Sequence, residues 1–260
     1  MRILVTNDDG VNAPGLAVAE EIAADLAGPD GEVWVVAPAF EQSGVGHRIS
    51  YTHPTMISRF DARRWAAEGS PADCVLAAIH HVMDEAPDLI LSGVNRGNNS
   101  AENTVYSGTV GAAMEGALQG VPAIALSQYL GPANYHEPDP FESSRVHGAE
   151  TVRRILAAAP APGGAYGLFH NVNFPPVPAA EVKGVRAVAQ GYRGHGRFRV
   201  EHTEAPSGRD FLWIAGGAQQ DGSGEDTDAT ANLEGYVSVT PMTCDLTDRG
   251  ALSAMRDALR

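Results

Sequence analysis

Short apolar runs alternate with helix-like segments through the first 160 residues of the chain. Mostly aliphatic runs are typical of strands buried on both faces of a parallel sheet. The segments between them space apolar residues three or four positions apart, as in 142–159, where Val146, Val152, Ile155 and Leu156 predict one apolar helix side. This alternation predicts an α/β fold with a mostly parallel sheet and helices on both faces. The predicted strands are residues 2–7, 32–38, 87–93 and 122–126, and the predicted helices are residues 14–27, 71–83, one starting near 107–109, and 142–159.

The pattern changes after Pro160. Residues 161–164, Ala-Pro-Gly-Gly, predict a break, and alternating apolar and polar residues follow, which is typical of strands with one exposed face. We interpret 1–260 as a single domain, with an α/β core in 1–160 and a sheet extension with hairpins in 161–260. The predicted strands of this part are residues 167–174, 185–192, 197–202, 211–215 and 236–239, with a loop at 219–228 and a short helix at 251–259.

Acidic residues outnumber basic ones, which excludes several classes of partner. The chain has 32 Asp plus Glu against 18 Lys plus Arg, for a formal net charge of −14, and Lys183 is its single lysine. Polymeric nucleic acid and anionic membranes both recruit positive surface charge, so we expect neither as a partner. A small phosphate remains compatible with an acidic protein when a divalent cation inverts the local charge.

The two cysteines predict neither a zinc site nor a disulfide framework. Cys74 and Cys244 are far apart and belong to no paired Cys/His spacing, so we expect buried thiols. No apolar stretch approaches the ~20 residues of a membrane span. The N-terminal run reaches Asp8 without a signal-peptide pattern, so we expect a cytoplasmic protein.

Polar residues follow the predicted parallel strands at the sheet edge where open α/β folds bind ligands. Asp8 and Asp9 come after the first strand, Ser43 lies in the loop after the second, and Asn95 follows the strand at 87–93. Adjacent carboxylates repel each other unless a cation lies between them, and Ser and Asn oxygens complete a hard-cation site without adding charge. The set predicts a Mg²⁺ or Mn²⁺ site. The alternative is that Asp8 or Asp9 caps a helix or forms an Asx turn.

A second candidate site lies at the predicted start of a helix. Ser107, Gly108 and Thr109 would present free backbone N–H groups and two hydroxyls, which together form an anion seat. Ser-Gly-Thr is also a common N-cap sequence, so capping alone is the alternative. His47, in the second loop, could approach a phosphate there or have a structural role.

Several common mechanisms lack their residues in this chain. It has no G-x-x-x-x-G-K-[ST], and Gly44-Val45-Gly46 lacks the third glycine of a dinucleotide fingerprint. It has no G-x-S-x-G nucleophile elbow. A receiver domain needs an Asp where this chain has Asn95 and also a late lysine, and haloacid-dehalogenase phosphatases use D-x-D where this chain has Asp8-Asp9.

A set of motifs extends over nearly the whole chain. The motifs are Asn7-Asp8-Asp9-Gly10-Val11, Ser43-Gly44, Gly69-Ser70-Pro71-Ala72-Asp73-Cys74, Ser92-Gly93-Val94-Asn95-Arg96-Gly97, Tyr106-Ser107-Gly108-Thr109-Val110, Asn171-Val172-Asn173 and Gly235-Tyr236-Val237-Ser238-Val239-Thr240-Pro241. With them the chain resembles the survival protein SurE family. Each motif alone is weak, but together they are highly specific.

The resemblance implies a metal-dependent phosphohydrolase of nucleoside 5′- and 3′-monophosphates, often with some exopolyphosphatase activity. It also implies a Rossmann-like core with a C-terminal oligomerisation arm exchanged between subunits, and therefore a homodimer or homotetramer. The residues that match the family's divalent-metal ligands are Asp8, Asp9, Ser43 and Asn95, of which Asp8 and Asp9 are the catalytic pair, and those that match its phosphate-binding residues are Asn99, Ser107, Gly108 and Thr109.

One position departs from the family pattern. Many members have an Asp directly after the Ala-Pro that ends the second strand, whereas this chain has Ala39 followed by Phe40 and Glu41. The way this loop meets the nucleoside therefore stays open, as does whether Asp8 is a base or a direct nucleophile. The alternative functions are a broad acid phosphatase or short-chain exopolyphosphatase with the same site, and a non-catalytic nucleotide sensor.

Overall fold

A nine-stranded sheet covered by helices forms the centre of the computed structural model, which describes residues 1–158, 166–194, 198–217 and 219–260. The strands are β1 (Arg2–Thr6), β2 (Glu32–Pro38), β3 (Ile57–Arg59), β4 (Arg64–Ala67), β5 (Leu89–Arg96), β6 (Ala123–Gln128), β7 (Leu168–Phe174), β8 (Val185–Ala187), β9 (Arg199–Glu204), β10 (Asp210–Ala215) and β11 (Val237–Thr243). The helices are α1 (Pro14–Ala27), α2 (Pro71–Ala77), α3 (Asn103–Tyr106), α4 (Gly108–Leu118), α5 (Glu142–Ala158), α6 (Asp228–Leu233) and α7 (Arg249–Ala258), and a π-helical turn, Ala78–Val82, continues α2.

The strand order in the main sheet is β3-β4-β2-β1-β5-β6-β7-β11-β8. The six strands from β4 to β7 in that order are parallel. β3 is antiparallel to β4, β11 is antiparallel to β7, and β8 is parallel to β11. The predicted mostly parallel α/β fold is therefore confirmed. Because the chain builds outward from β1 to β3 and then returns to the other side of β1 with β5, the topological switch point lies between β1 and β5.

Alternate side chains of the central strands enter two separate cores. In the paired strands β1 and β5, Ile3 lies opposite Leu89 and Leu4 lies opposite Ile90. Ile3 and Leu89 pack with α1 and α5, whereas Leu4 and Ile90 pack with α2 and α4. The period of two along each strand thus buries both sheet faces, which leaves only the strand ends for polar loops.

The predicted apolar side of α5 is partly wrong. Val146 is 57% exposed and Leu156 is 38% exposed, whereas the other two predicted residues are buried. The buried side instead contains Gly148, where an added Cβ would lie 2.4 Å from Ile22 Cδ1 of α1. The two helices approach so closely that small side chains fill much of the contact, and a hydrophobicity pattern does not reveal such a face.

The part of the chain after α5 contributes strands to the main sheet. β7, β11 and β8 join it, and β9 and β10 form a separate antiparallel hairpin. The predicted strand at 185–192 ends earlier, at Ala187, and the one at 236–239 continues to Thr243. The short elements β3, β4, α3 and α6 were not predicted. The predicted break at 161–164 and the first residue of the strand at 197–202 lie outside the described residues.

Two further expectations concern the cysteines and membrane spans. Both cysteines are free thiols; Cys74 is fully buried as predicted, whereas Cys244 is partly exposed. Among the helices of the described ranges, none is both long enough and apolar enough to cross a membrane.

Candidate active site

Three loops meet at the carboxyl ends of β1, β2 and β5, beside the switch point. The backbone N–H of Gln42 donates to the carbonyl of Asp8 at 2.7 Å, which joins the second loop to the first. The backbone N–H of Arg96 donates to Asp9 Oδ2 at 3.0 Å, which joins the end of β5 to the same loop. The structure therefore brings together the strand ends that the sequence predicts to converge.

Asp8 is buried between the end of β1 and the start of α4. Its side chain is close to Thr109, whose Oγ1 donates to Asp8 Oδ1 at 2.5 Å. A Cβ on Gly108 would lie 2.9 Å from Asp8 Cβ, so glycine allows the first turn of α4 to come this close. Burial raises the pKa of Asp8 to about 6 against the hydrogen bonds from Thr109, and the charge of Asp9 adds to the rise.

Asp9 lies in a tight turn after β1. Asn7 holds this turn, because its Nδ2 donates to the carbonyl of Gly10 at 2.9 Å and its Oδ1 accepts from the Gly10 N–H at 3.2 Å. Gly10 has a φ of +103°, which a side chain would strain. Burial raises the pKa of Asp9 against the hydrogen bond from Arg96, and the charge of Glu41 adds to the rise.

Among the described residues, no basic side chain forms an ion pair with Asp8 or Asp9. The described part of the chain also contains no cluster of three or more His, Cys, Asp or Glu residues that could hold a metal ion. A cation bound here would therefore need neutral oxygen ligands in addition to the two carboxylates.

Ser43 and Asn95 offer such oxygens. Ser43 Oγ donates to Glu41 Oε1 at 2.8 Å, and Asn95 Nδ2 donates to the carbonyl of Gly97 at 3.0 Å. In both bonds the side chain acts as the donor. The lone pairs of Ser43 Oγ and Asn95 Oδ1 therefore remain available to coordinate a cation. This donor set fits Mg²⁺ or Mn²⁺.

The predicted phosphate-binding residues differ in what their side chains can still donate. Ser107 caps α4 with its Oγ, which accepts a backbone N–H at 3.1 Å and keeps its own O–H hydrogen. Asn99 Nδ2 donates one hydrogen to Ser127 Oγ at 2.9 Å and keeps the second. Thr109 directs its hydroxyl to Asp8 instead, so this hydroxyl orients the carboxylate. In the first turn of α4, Val110 donates its N–H to Ser107 Oγ and Thr109 donates its N–H to Asp8, so the Gly108 N–H is the backbone group that adds to the remaining donors.

A cavity of about 850 Å³ is lined by most of the predicted metal- and phosphate-binding residues. A neighbouring cavity of about 510 Å³ contains Asp9, and Ser43 and Arg96 line both. Gly108 and Thr109 contact Asp8. The predicted site residues that line the larger cavity are Asp8, Ser43, Asn95, Asn99 and Ser107.

A second wall of the larger cavity contains residues that the sequence patterns do not predict as part of the site. Tyr106 of α3 and, from the hairpin side, Phe198, Val200 and Ile214 form it, together with Gln219. Val200 and Ile214 are opposite each other in the β9–β10 register, which places both on one hairpin face. The alternating pattern predicts the strands, but no short motif indicates that this face turns toward the active-site loops.

A second missed feature is the clamp on loop 98–102. Arg193, whose side chain is 1% exposed, donates from Nη2 to Asn98 Oδ1 at 3.2 Å. Asp228 Oδ2 accepts the backbone N–H of Ala101 at 2.9 Å, and Ala101 has a φ of +53°. An isolated arginine and aspartate have no characteristic spacing, so sequence reasoning has no signal for them.

His47 has a structural partner on α4. Its Nε2 lies 2.6 Å from Glu115 Oε2, and Glu115 is buried. Burial raises the pKa of Glu115, but hydrogen bonds from His47 and Gln119 outweigh burial and hold the pKa below its usual value. His47 thus fastens the second loop to α4, and it does not line either cavity.

The chain is similar to several known proteins. The family model of the survival protein SurE matches residues 3–197. A protein of Ruegeria pomeroyi named 5′-nucleotidase SurE is 65% identical over 260 residues, and one of Jannaschia sp. with the same name is 64% identical over 265 residues, each covering 100% of both chains. The crystal structure of SurE protein from Aquifex aeolicus is similar with a TM-score of 0.81 at 36% identity, covering 100% of both chains. The chain belongs to the survival protein SurE family.

Proposed function

We propose that the chain is a divalent-metal-dependent 5′-nucleotidase that hydrolyses nucleoside monophosphates to nucleoside and inorganic phosphate. The observation that supports this most directly is the hydrogen bond between Thr109 and Asp8, because it joins the buried carboxylate of Asp8 to the start of α4. The name 5′-nucleotidase SurE, borne by relatives at 65% and 64% identity over full length, supports the same reaction.

Asp8, Asp9, Ser43 and Asn95 would hold the metal ion. The two carboxylates repel each other, burial raises the pKa of both, and no basic side chain pairs with them in the described ranges. A bound cation relieves this repulsion. One Mg²⁺ or Mn²⁺ would stabilise negative charge on the phosphoryl oxygens and lower the pKa of water at the site.

Asp8 orients the attacking water and accepts its proton, while Thr109 fixes the orientation of the Asp8 carboxylate. The water oxygen bonds to phosphorus as the ester bond from phosphorus to the nucleoside oxygen breaks, and the departing nucleoside oxygen takes up a proton from solvent. The Ser107 hydroxyl, the second Asn99 N–H and the Gly108 N–H donate to the phosphoryl oxygens. These donors contact the phosphate alone, so we extend the proposal to nucleoside 3′-monophosphates.

A broad acid phosphatase or a short-chain exopolyphosphatase would use the same phosphate-binding residues. The apolar wall of Phe198, Val200 and Ile214 favours the nucleotide, because a polyphosphate chain has no apolar group to bury there. A non-catalytic nucleotide sensor would not need the buried Asp8 carboxylate to be oriented beside the phosphate-binding residues. A ratio of kcat/KM that favours polyphosphate or p-nitrophenyl phosphate over mononucleotides would select the broader enzyme.

Metal removal tests the proposal directly. The enzyme is stripped with a chelator, and phosphate release from 5′- and 3′-mononucleotides is measured before and after Mg²⁺ or Mn²⁺ is restored. We expect activity to disappear and to return with metal. Full activity in the stripped enzyme would refute metal dependence, and no phosphate release with either metal would refute the nucleotidase.

We also propose that the chain forms a homodimer or homotetramer through its C-terminal arm. Helix α7 has no buried residue, and Met255 within it and Leu259 directly after it are 57% and 79% exposed. A ten-residue helix is marginal in water without packing. A second copy of the chain would bury these apolar side chains.

A further inference from the structure

The larger cavity is lined by two chemically different groups of residues. Asp8 and Ser107 belong to the proposed phosphate site. Phe198, Val200 and Ile214 offer only apolar side chains. At about 850 Å³ the cavity is much larger than a phosphate ion needs. The apolar group favours a nucleotide, but the phosphate chemistry does not say which part of the nucleotide it binds.

Two aromatic rings that line the cavity form a corner. The ring centroids of Tyr106 and Phe198 are 5.0 Å apart and their planes are at 87° to each other. Tyr106 directly precedes Ser107, so this corner begins one residue from a proposed phosphate donor. Tyr106 and Phe198 are 47% and 48% exposed, and both line the cavity. A flat ligand can lie against one ring while the other ring meets its edge.

We propose that Tyr106 and Phe198 bind the nucleobase of the substrate, with Val200 and Ile214 covering its apolar surface. The inference rests on the proposed nucleotidase function and names how the nucleoside end is held. Every base has a π-face, so stacking of this kind tolerates all four bases. The corner thus selects nucleotides over base-free sugar phosphates and discriminates weakly among bases.

The hairpin supplies a matched control on its other face. Ile214 faces the cavity, and side chains alternate along β10, so Phe211 and Trp213 lie on the opposite face. Phe211 is 54% exposed, close to the value for Phe198. Removing either ring deletes a similar exposed apolar area, but only one of them lines the cavity.

The experiment measures KM and kcat with adenosine 5′-monophosphate and with ribose 5-phosphate, which has the same sugar phosphate without the base. The enzymes are wild type, Phe198→Ala, Tyr106→Ala and Phe211→Ala, all loaded with metal. We expect the KM of wild type to be lower for the nucleotide. Phe198→Ala and Tyr106→Ala should each raise the nucleotide KM about tenfold and leave the ribose 5-phosphate KM unchanged. Phe211→Ala should change neither.

Three outcomes would overturn the inference. The first is equal KM values for both substrates in wild type, which leaves the phosphohydrolase intact. The second is a KM that rises equally for both substrates in Phe198→Ala together with a change in sedimentation, because that result assigns the ring to a subunit interface. If no enzyme releases phosphate, the nucleotidase proposal itself fails. In that case, calorimetry measures the Kd of adenosine 5′-monophosphate for wild type and Phe198→Ala. An equal Kd for both proteins is the third outcome that overturns the inference.

Discussion

The two walls of the larger cavity differ in how the fold holds them. On the core wall, Asp8, Asn99 and Ser107 are 4%, 7% and 6% exposed, and each is fixed by hydrogen bonds. On the hairpin wall, Val200 and Ile214 are 61% and 72% exposed. Groups that must be placed within a fraction of an ångström thus lie on packed elements. Groups that only cover a ligand lie on a lightly packed hairpin.

Asp8→Asn should cause the largest loss of kcat. It removes a negative charge from the core wall and places an amide where Thr109 donates, so the water loses its proton acceptor. We expect kcat to fall by about 10³-fold. The melting temperature should not fall, because burial disfavours the charge that the variant removes. Phosphate release and calorimetric melting measure both quantities.

The exposed Asp30→Asn is the control for the same chemical change. It should retain full activity. If Asp8→Asn keeps more than a tenth of the wild-type kcat, Asp8 does not act on the water, and the strict placement of the core wall has no catalytic purpose.

Gly108→Ala tests how finely the core wall is placed. The added Cβ would lie 2.9 Å from Asp8 Cβ and 3.1 Å from Pro71 Cγ, so the start of α4 must move away. A shift of this kind displaces the phosphate donors relative to Asp8, and we expect kcat to fall by about 10- to 100-fold. At Gly216 an added Cβ meets no atom within 4 Å, so Gly216→Ala is the matched control. Equal kcat values for the two variants would contradict the prediction.

The core wall is also the part of the site that sequence could predict. Asp8 and Asp9 follow a strand whose apolar run is clear, and Ser107 to Thr109 precede a regular helical pattern. Parallel strands bring their carboxyl ends to one edge, so local patterns and one topological rule bring these residues together. No sequence pattern indicates the hydrogen bonds between them, among them the one that directs the Thr109 hydroxyl to Asp8.

The hairpin wall depends on contacts between distant parts of the chain, which no local pattern encodes. The strands of the hairpin were predicted, but the approach of Phe198 to Tyr106 was not. The clamp of Arg193 on Asn98 joins residues 95 positions apart. The same limit explains α5, whose close approach to α1 depends on Gly148.

Arg193→Lys tests the connection between the two walls. Arg193 precedes the hairpin in the sequence. It also holds the loop that contains Asn99, because its Nη2 donates to Asn98 and, at 2.8 Å, to Ser100 Oγ. Lysine keeps the charge but loses the forked donors. We expect a loss of about 2 kcal/mol in the free energy of unfolding. As Asn99 loosens, we expect kcat to fall by several-fold.

Exposed Arg209→Lys provides the comparison for an arginine without this role. Denaturant unfolding and steady-state kinetics should show no change for it. Unaltered kcat in Arg193→Lys at a temperature where the variant stays folded would mean that the clamp serves stability alone.

Met255→Glu has the smallest expected effect on catalysis, because α7 contributes to neither wall. Met255 and Leu252 lie on the apolar side of α7, while Ala254 lies elsewhere around the helix. A carboxylate at position 255 should weaken self-association, and the same carboxylate in Ala254→Glu should not. Sedimentation at two concentrations measures the oligomer, and we expect kcat on the nucleotide to change by less than about twofold. If Met255→Glu instead lowers kcat as strongly as Gly108→Ala does, a neighbouring subunit helps to place the core wall. The contrast between a core wall that is fixed by hydrogen bonds within the chain and a lightly packed hairpin wall would then fail.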